Sequence, residues 1–423
     1  MRADIDALVG FGTRHTLSAD APNRGIGAAR RWAADQFRAM CGGCLAVSIP
    51  EASFTGDRLG KGAKIADVIA IQKGTERPDE VVIIEAHIDS RVSDVMNATS
   101  DAPGANDNGS GVAVVLAAAR VLSQRHFAGT IVYAINAGEE QGLYGAKLLA
   151  DTAAAQHWQV KAVLNNDIVG NTRGADGLVD DAHVRVFSEG VRADSDDRLA
   201  RAQRAEGGEN DSTSRNLARF VGRIAAADRG LAVRQVWRAD RVGRGGDHMP
   251  FQKAGDPAVR LTVAVENYDR QHQDVRTDHG RAFGDTADAM DFRYLARVAR
   301  LNTAVLAALA AAPMPPAPAA RMAVSDDTEL SWLPVNGAAR YRVWKRATDA
   351  ATWEAQPLAV VSAAPSAGAG VVAVNPPLSL VLHGLRGDDW FLGVSSVAAD
   401  GAESPIAAAL PGGGFAPLTA PTP

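Results

Sequence analysis

The stretch Ile131-Val132-Tyr133-Ala134-Ile135-Asn136-Ala137-Gly138-Glu139-Glu140-Gln141-Gly142-Leu143-Tyr144-Gly145 decides how the rest of the chain is read. Its first five residues are apolar and partly β-branched, as in a strand buried on both faces of a parallel sheet. The run stops at Gly138 and is followed by two adjacent carboxylates, Glu139 and Glu140, and a second glycine, Gly142. Ligands of open α/β sheets bind just beyond the carboxyl ends of strands. Neighbouring glutamates at such a tip point in different directions, so one can hold a metal while the other works as a base. An isolated Glu-Glu pair would read as a solvated acidic turn. This one is accompanied by other strand-like runs that also end in metal-type residues.

Upstream, residues 3–16 and 24–41 read as helices; the second places Ile26, Ala29, Trp32, Ala33 and Phe37 at helical spacing. Strand-like runs follow at Cys44–Pro50, Asp67–Gln72 and Val81–His87, then a helix over Gly109–Gln124 that begins at a glycine-rich turn. Downstream of the central stretch come a helix across Ala146–Ala154 and a strand over Val160–Asn165 leading into Asn166-Asp167. Residues 172–246 are polar and irregular, with one strand (His183–Ser188) and one helix (Asn216–Ala227). A strand over Ala258–Ala264 and a long amphipathic helix over Thr286–Ala311 close this part. Strands alternating with helices at this pitch predict an α/β fold, a mostly parallel sheet flanked by helices.

With 423 residues the chain exceeds one ordinary domain. The expected division is a catalytic domain over 1–312, a Pro/Ala linker over 313–325, a small β-sandwich over 326–410 and a flexible tail over 411–423. In the sandwich region, Leu330–Trp332, Tyr341–Trp344, Leu378–Leu382 and Phe391–Val394 are short runs between Gly, Pro and Asp turns, with no helical period. Trp332-Leu333-Pro334, Tyr341-Arg342-Val343 and Gly401-Ala402-Glu403-Ser404-Pro405 resemble a fibronectin type III module. Its tryptophans, Trp332, Trp344, Trp353 and Trp390, read mostly as core. Contact with a surface or polymer through this module is a further expectation.

Composition narrows the function. A hydrophobic fraction of 46% against 22% charged residues is that of a globular protein. A net charge of −5 without a basic stripe argues against a nucleic-acid partner. No uninterrupted apolar run approaches the roughly 18–20 residues of a membrane span. The only cysteines, Cys41 and Cys44, form a C-x-x-C without a second pair, which disfavours a structural zinc site and leaves a local disulfide or two buried thiols. The disulfide is the preferred reading. Together with the accessory module it suggests an exported protein, periplasmic or extracellular, whose leader is absent from this chain.

The strand ends, taken in order, carry the chemistry. The first gives His87-Ile88-Asp89, in which an aspartate can orient a ligating imidazole. Gly104-Ala105-Asn106-Asp107-Asn108-Gly109-Ser110-Gly111 sets an aspartate in a glycine-framed turn, where one carboxylate can bridge two ions. Glu139-Glu140 and Asn166-Asp167 follow, and the last candidates are His248 and His272. Zinc takes this mixture of imidazole and carboxylate ligands, and two ions roughly 3.5–4 Å apart make a co-catalytic site. His15, His126, His157, His183 and His383 read as structural histidines.

HIDS at 87–90, GANDNGSG at 104–111, GEEQGLYGA at 138–146 and NND at 165–167 resemble the zinc aminopeptidases of the bacterial leucyl aminopeptidase and aminopeptidase Y family, in clan MH. GDHMPF at 246–251 is similar to a further motif of that family. The resemblance covers about residues 1–312. It implies two zinc ions, one held by His87 and Asp167, the other by Glu140 and a late histidine, with Asp107 bridging. It implies Glu139 as general base, Asp89 orienting His87, and a cis Asp107–Asn108 peptide. The late histidine is assigned as His272, with His279 as the alternative, because Tyr268–Asp274 departs from the usual Tyr-His-Thr pattern. His248 is placed as a donor to the developing oxyanion; the alternative is that Asp247 and His248 cap a short helix. The implied reaction is hydrolysis of the N-terminal residue from peptide substrates with a free N-terminus.

Three other readings compete. A glutaminyl cyclase-like acyltransferase on the same fold would use a single zinc, and Gln141–Gly145 looks more like a peptidase. A carboxypeptidase would need arginines for the substrate carboxylate, for which Arg238, Arg241 and Arg244 are candidates. A non-catalytic binding protein would be marked by loss of a ligand or of the base.

Overall fold

The computed structural model describes residues 1–363 and 376–418. Among these, an eight-stranded sheet forms from β1 (Ala46–Ser48), β2 (Val68–Gln72), β3 (Arg77–His87), β4 (Gly129–Asn136), β5 (Gln159–Asn166), β6 (His183–Phe187), β7 (Ala232–Val236) and β8 (Ala258–Val263). Their spatial order is β1-β2-β4-β3-β5-β8-β6-β7. The central four, β4, β3, β5 and β8, run parallel, while β2 and β6 pair antiparallel to β4 and β8. The fold is the expected α/β arrangement with a mostly parallel sheet.

Alternation along the central strands explains the helices on both faces. Val82, Ile84, Tyr133 and Ile135 pack on one face with Phe37, Leu116 and Leu306 from the helices Gly25–Arg38, Gly109–Leu122 and Phe292–Ala311. Val81, Ile83, Val132 and Ala134 pack on the other with Leu149 and Phe251 from the helices Tyr144–Ala155 and His248–Ala254. The helix Phe292–Ala311 is long and apolar enough to cross a membrane, but more than half of its most apolar stretch is buried inside the protein. Leu295, Val298 and Leu306 lie in its core-facing stripe, so it reads as a core helix.

Several boundaries differ from expectation. The first helix is Arg2–Gly10, because the chain turns at Phe11 and at Gly12, whose φ is +71°. Asp291 caps the long helix through the N–H groups of Arg293 and Tyr294, so it starts at Phe292 and not at Thr286. A hairpin, Glu51–Phe54 with Ala63–Ala66, was not foreseen; its strands are short and partly exposed, which leaves little hydrophobic pattern to read. The 172–246 region also contains the helix Asp197–Glu206 and strand β7. Cys41 and Cys44 are joined as a disulfide, with Cα atoms 5.6 Å apart.

The C-terminal region forms two antiparallel sheets. Ala319–Arg321, Thr328–Trp332 and Leu378–Leu382 make one; Ala359–Ser362, Arg340–Ala347, Trp390–Val397 and Ala407–Ala408 make the other. Leu330 and Trp332 share a core with Tyr341, Val343, Leu392 and Val394, so the sheets face each other as a sandwich. Residues 364–375, within the expected module, lie outside the described residues.

The C-terminal sheets pack against the α/β part of the chain. Arg346 Nη2 stands 2.7 Å from both carboxylate oxygens of Asp211, which also pairs with Arg219 at 2.8 Å, and all three side chains are buried. Trp353 donates to Asn216. Pro313, Pro315 and Pro316, in the expected linker, are buried. The tail expected to be flexible is packed as far as Phe415, which is buried, and Arg192 donates to the Gly414 carbonyl at 2.8 Å; residues 416–418 are exposed. Residues 419–423 of that tail lie outside the described residues.

Candidate metal centre

Five chain segments deliver the site to the carboxyl edge of the parallel strands. β3 ends at His87, which pairs in register with Asn136 at the end of β4. Two residues past Asn136, Gly138 (φ +77°) reverses the chain and starts the short helix Glu139–Gly142. β5 runs out into Asp167. Asp107 lies in the turn before the helix Gly109–Leu122, and the Asp107–Asn108 peptide is cis. The Asn108 side chain caps that helix by accepting from Gly111 N–H at 3.0 Å. A Cβ on Gly111 would collide with the Asn166 carbonyl, so glycine is what lets the helix approach β5 this closely. His272 comes from a distant loop in a left-handed conformation, φ +53°.

These residues form two groups that share Asp107: His87, Asp107 and Asp167, and Asp107, Glu140 and His272. Within each group the candidate ligand atoms lie within 4.8 Å of one another. His87 Nε2 is 3.3 Å from Asp107 Oδ1 and 3.7 Å from Asp167 Oδ1. His272 Nε2 is 2.9 Å from Asp107 Oδ2 and 3.1 Å from Glu140 Oε1.

Asp89 ties the first strand end to the glutamate turn. Its carboxylate accepts from the N–H groups of Glu139 (3.3 Å) and Glu140 (3.1 Å) and from the Thr16 hydroxyl. It also stands 3.5 Å from His87 Nδ1, but the nearer partner of that nitrogen is the Asp89 backbone carbonyl, at 3.1 Å. Asp89 is therefore placed to set the Glu139–Glu140 turn as much as the imidazole.

The electrostatics fit cations at this place. His87 Nε2, Asp167 Oδ1 and Glu140 Oε1 are buried and make no hydrogen bond among the described residues, although buried polar atoms are normally paired. Burial opposes charge on His87, yet Glu139, Asp107, Asp167 and Asp89 outweigh it and raise its pKa well above the ordinary range. Burial raises Glu139 well above the usual carboxylate range; His87 opposes this, and Glu140, Asp167 and Asp247 reinforce it. Added positive charge would return Glu139 to the ionised form. The donor set of two imidazoles and three carboxylates suits zinc.

His248 does not reach the cleft. It is fully buried, its Nε2 is engaged with the Ala239 carbonyl at 2.8 Å, and it is absent from the cavity wall. An oxyanion donor must face the substrate, so the expected role gives way to a structural one: His248 opens the helix His248–Ala254 and anchors the preceding loop. His279 is exposed and lies beside Asp278, away from both groups.

Several site residues were not read from the sequence. Arg91 Nε donates to Glu140 Oε2 at 2.8 Å, and its Nη2 lies 2.6 Å from His272 Nδ1. Its adjacency to His87-Ile88-Asp89-Ser90 was the available signal. The buried Arg260 pairs with Asp167 at 3.0 Å, and Asp285 accepts from the N–H groups of Asn106 and Asp107. Neither has a local motif. Arg58, from the unforeseen hairpin, lines the cleft with Arg91, Arg241 and Arg244.

A parallel sheet with two carboxylate-and-imidazole groups at its carboxyl edge has the make-up of a metallohydrolase. Residues 67–306 match the profile of Peptidase family M28. A probable zinc metalloprotease of Leptosphaeria maculans is 44% identical over 84% of this chain and 84% of its own length. Another, from Pyricularia oryzae, is 42% identical over 97% of this chain and 82% of its own length, an alignment that takes in the C-terminal sheets. Among solved structures, the LapA aminopeptidase of Legionella pneumophila has a similar fold, with a TM-score of 0.52 at 18% identity over 73% of this chain and 71% of that one. The chain belongs to Peptidase family M28, alongside these zinc metalloproteases.

Proposed function

We propose that the chain is an aminopeptidase that removes the N-terminal residue from peptides with a co-catalytic pair of zinc ions and Glu139 as general base. The observation that carries this reading is the sharing of Asp107 between two ligand groups, with Glu139 beside them on the cavity wall. His87 and Asp167 would hold one ion, Glu140 and His272 the other, and Asp107 both. When bound, such a pair lowers the pKa of a water and polarises the scissile carbonyl. Glu139 takes the proton of the attacking water and delivers it to the leaving amine as the carbon–nitrogen bond breaks. Asp89 holds the backbone of Glu139 and Glu140 and so positions both carboxylates. The presence of a second ligand group favours this reading over a single-zinc cyclase.

Hydrolysis of paired peptides, one with a free amine and one N-acetylated, tests the reading. Cleavage confined to the free-amine copies is expected. Cleavage of acetylated copies from the carboxyl end would favour the carboxypeptidase reading, for which the specific observation is that Arg241 and Arg244 line the cleft.

We further propose that the C-terminal sandwich is a fibronectin type III-like module that covers a face of the catalytic domain. Its three-plus-four strand arrangement and the buried Asp211–Arg346 pair support this. Export from the cytoplasm is proposed on the Cys41–Cys44 disulfide together with this module.

A further inference from the structure

The cavity in front of the metal centre has a volume of about 370 Å³, and four of its lining residues are arginines: Arg58, Arg91, Arg241 and Arg244. They differ in how far they are satisfied by the protein. Arg91 is committed to Glu140. Arg241 is largely buried against Asp240 at 3.0 Å and Glu266 at 3.2 Å. Arg244 reaches Glu266 at only 3.4 Å, a carboxylate already shared by Arg185 and Arg241, and its other side-chain partner is the neutral amide of Gln271, at 3.3 Å. Arg58 is exposed; its Nη1 donates to the Glu140 carbonyl at 3.2 Å, and no carboxylate lies within 4 Å of it among the described residues.

Arg58 and Arg244 reach this cavity from independent segments. Arg58 sits in the turn of the hairpin Glu51–Phe54/Ala63–Ala66, and Arg244 in the loop that precedes the helix His248–Ala254. The acidic residues of the cavity wall are Asp107, Glu140 and Asp167, which belong to the ligand groups, and Glu139, the proposed base. Outside that set the wall carries guanidinium groups and no carboxylate, an arrangement that attracts anions. A guanidinium presents a planar fork of donors that matches a carboxylate.

We propose that this cleft selects substrates carrying a carboxylate close to the scissile bond, held by Arg58 and Arg244. The carboxylate comes either from an acidic side chain of the residue removed or from the C-terminus of a dipeptide. Both place an anion within one or two residues of the bond that is cut, in keeping with a cavity of this size. The inference rests on the exopeptidase reading and specifies its substrate class.

The test compares kcat/KM for glutamyl, glutaminyl, leucyl and lysyl anilides, and for Ala-Leu beside Ala-Leu amide, in the full chain and in Arg58→Gln and Arg244→Gln. Charge-assisted hydrogen bonds predict that a carboxylate raises kcat/KM by ~10-fold or more over its amide partner, and that either substitution pulls the ratio toward one through KM. A glutamyl-over-glutaminyl preference identifies the side chain as the source; an acid-over-amide preference in the dipeptide identifies the C-terminus. Ratios near one in both pairs, or ratios unchanged in both variants, overturn the proposal and leave the exopeptidase reading standing. Calorimetric binding of glutamate α-amide against glutamine α-amide, and of Ala-Leu against Ala-Leu amide, gives a readout other than turnover. Tighter binding of the acid in either pair that both variants lose, with no anilide or dipeptide cleaved, supports the carboxylate site and sinks the exopeptidase reading alone; equal binding within both pairs overturns the carboxylate site.

Discussion

Asp107 Oδ2 stands 2.9 Å from His272 Nε2, while the other oxygen of the same carboxylate faces His87 Nε2 at 3.3 Å. One side chain thus joins two imidazoles that are 185 residues apart in the sequence, and each ligand group is incomplete without it.

Asp107→Ala is therefore expected to lower zinc content in both groups together, whereas His272→Ala removes one ion and keeps the one associated with His87 and Asp167. Metal analysis of the purified variants checks this. Equal zinc loss in the two variants would show that Asp107 does not bridge.

Glu139 lines the cleft and lies outside both ligand groups. Glu139→Gln keeps the shape of the side chain and removes the proposed base, so kcat is expected to fall by ~10²–10⁴-fold with metal content unchanged. A variant with most of its activity intact would reassign the base.

The parts of this molecule that could be read beforehand have a local signature. β4 carries the apolar run Ile131–Ile135 and is followed within two residues by Gly138-Glu139-Glu140, so both the strand and its position at the site follow from one short stretch. His87, Asp107 and Asp167 likewise sit at strand ends or in a glycine-framed turn, and the sheet topology brings such ends to one edge. His272 lies in an irregular loop, where choosing it over His279 depended on a resemblance and not on periodicity. Arg58, Arg260 and Asp285 were not legible, because each acts through a contact made only when distant segments meet. His248 shows the opposite case: a motif-like neighbourhood whose side chain is turned to the Ala239 carbonyl.

The contact between the C-terminal sheets and the α/β part of the chain includes Asp211, buried between Arg219 and Arg346. Asp211→Ala leaves two guanidinium groups buried without their carboxylate and is expected to cost ~3–5 kcal/mol. A lowered melting temperature and new protease cleavage around Pro313–Pro318 are the expected readouts. An unchanged melting curve would mean that the sandwich is held by its other contacts.

Far from the metal centre, burial raises the Glu189 carboxyl to about 8 from an ordinary 4.5, with Asp194 adding to the effect and the Ala193 N–H opposing it. The folded protein then holds this proton more tightly than the unfolded chain. Its contribution to stability is full below pH 4.5 and is lost as pH rises toward 8. Glu189→Gln is expected to flatten the decline of melting temperature between these pH values. An equally steep decline in the variant would place the effect elsewhere.

The most direct test of the central claim is a zinc titration of metal-free protein, following hydrolysis of a free-amine peptide and its N-acetylated copy. The account predicts that activity on the free-amine peptide rises until two equivalents per chain are bound and that the acetylated copy is never cleaved. Full activity at one equivalent, or cleavage of the acetylated copy, would contradict a co-catalytic aminopeptidase.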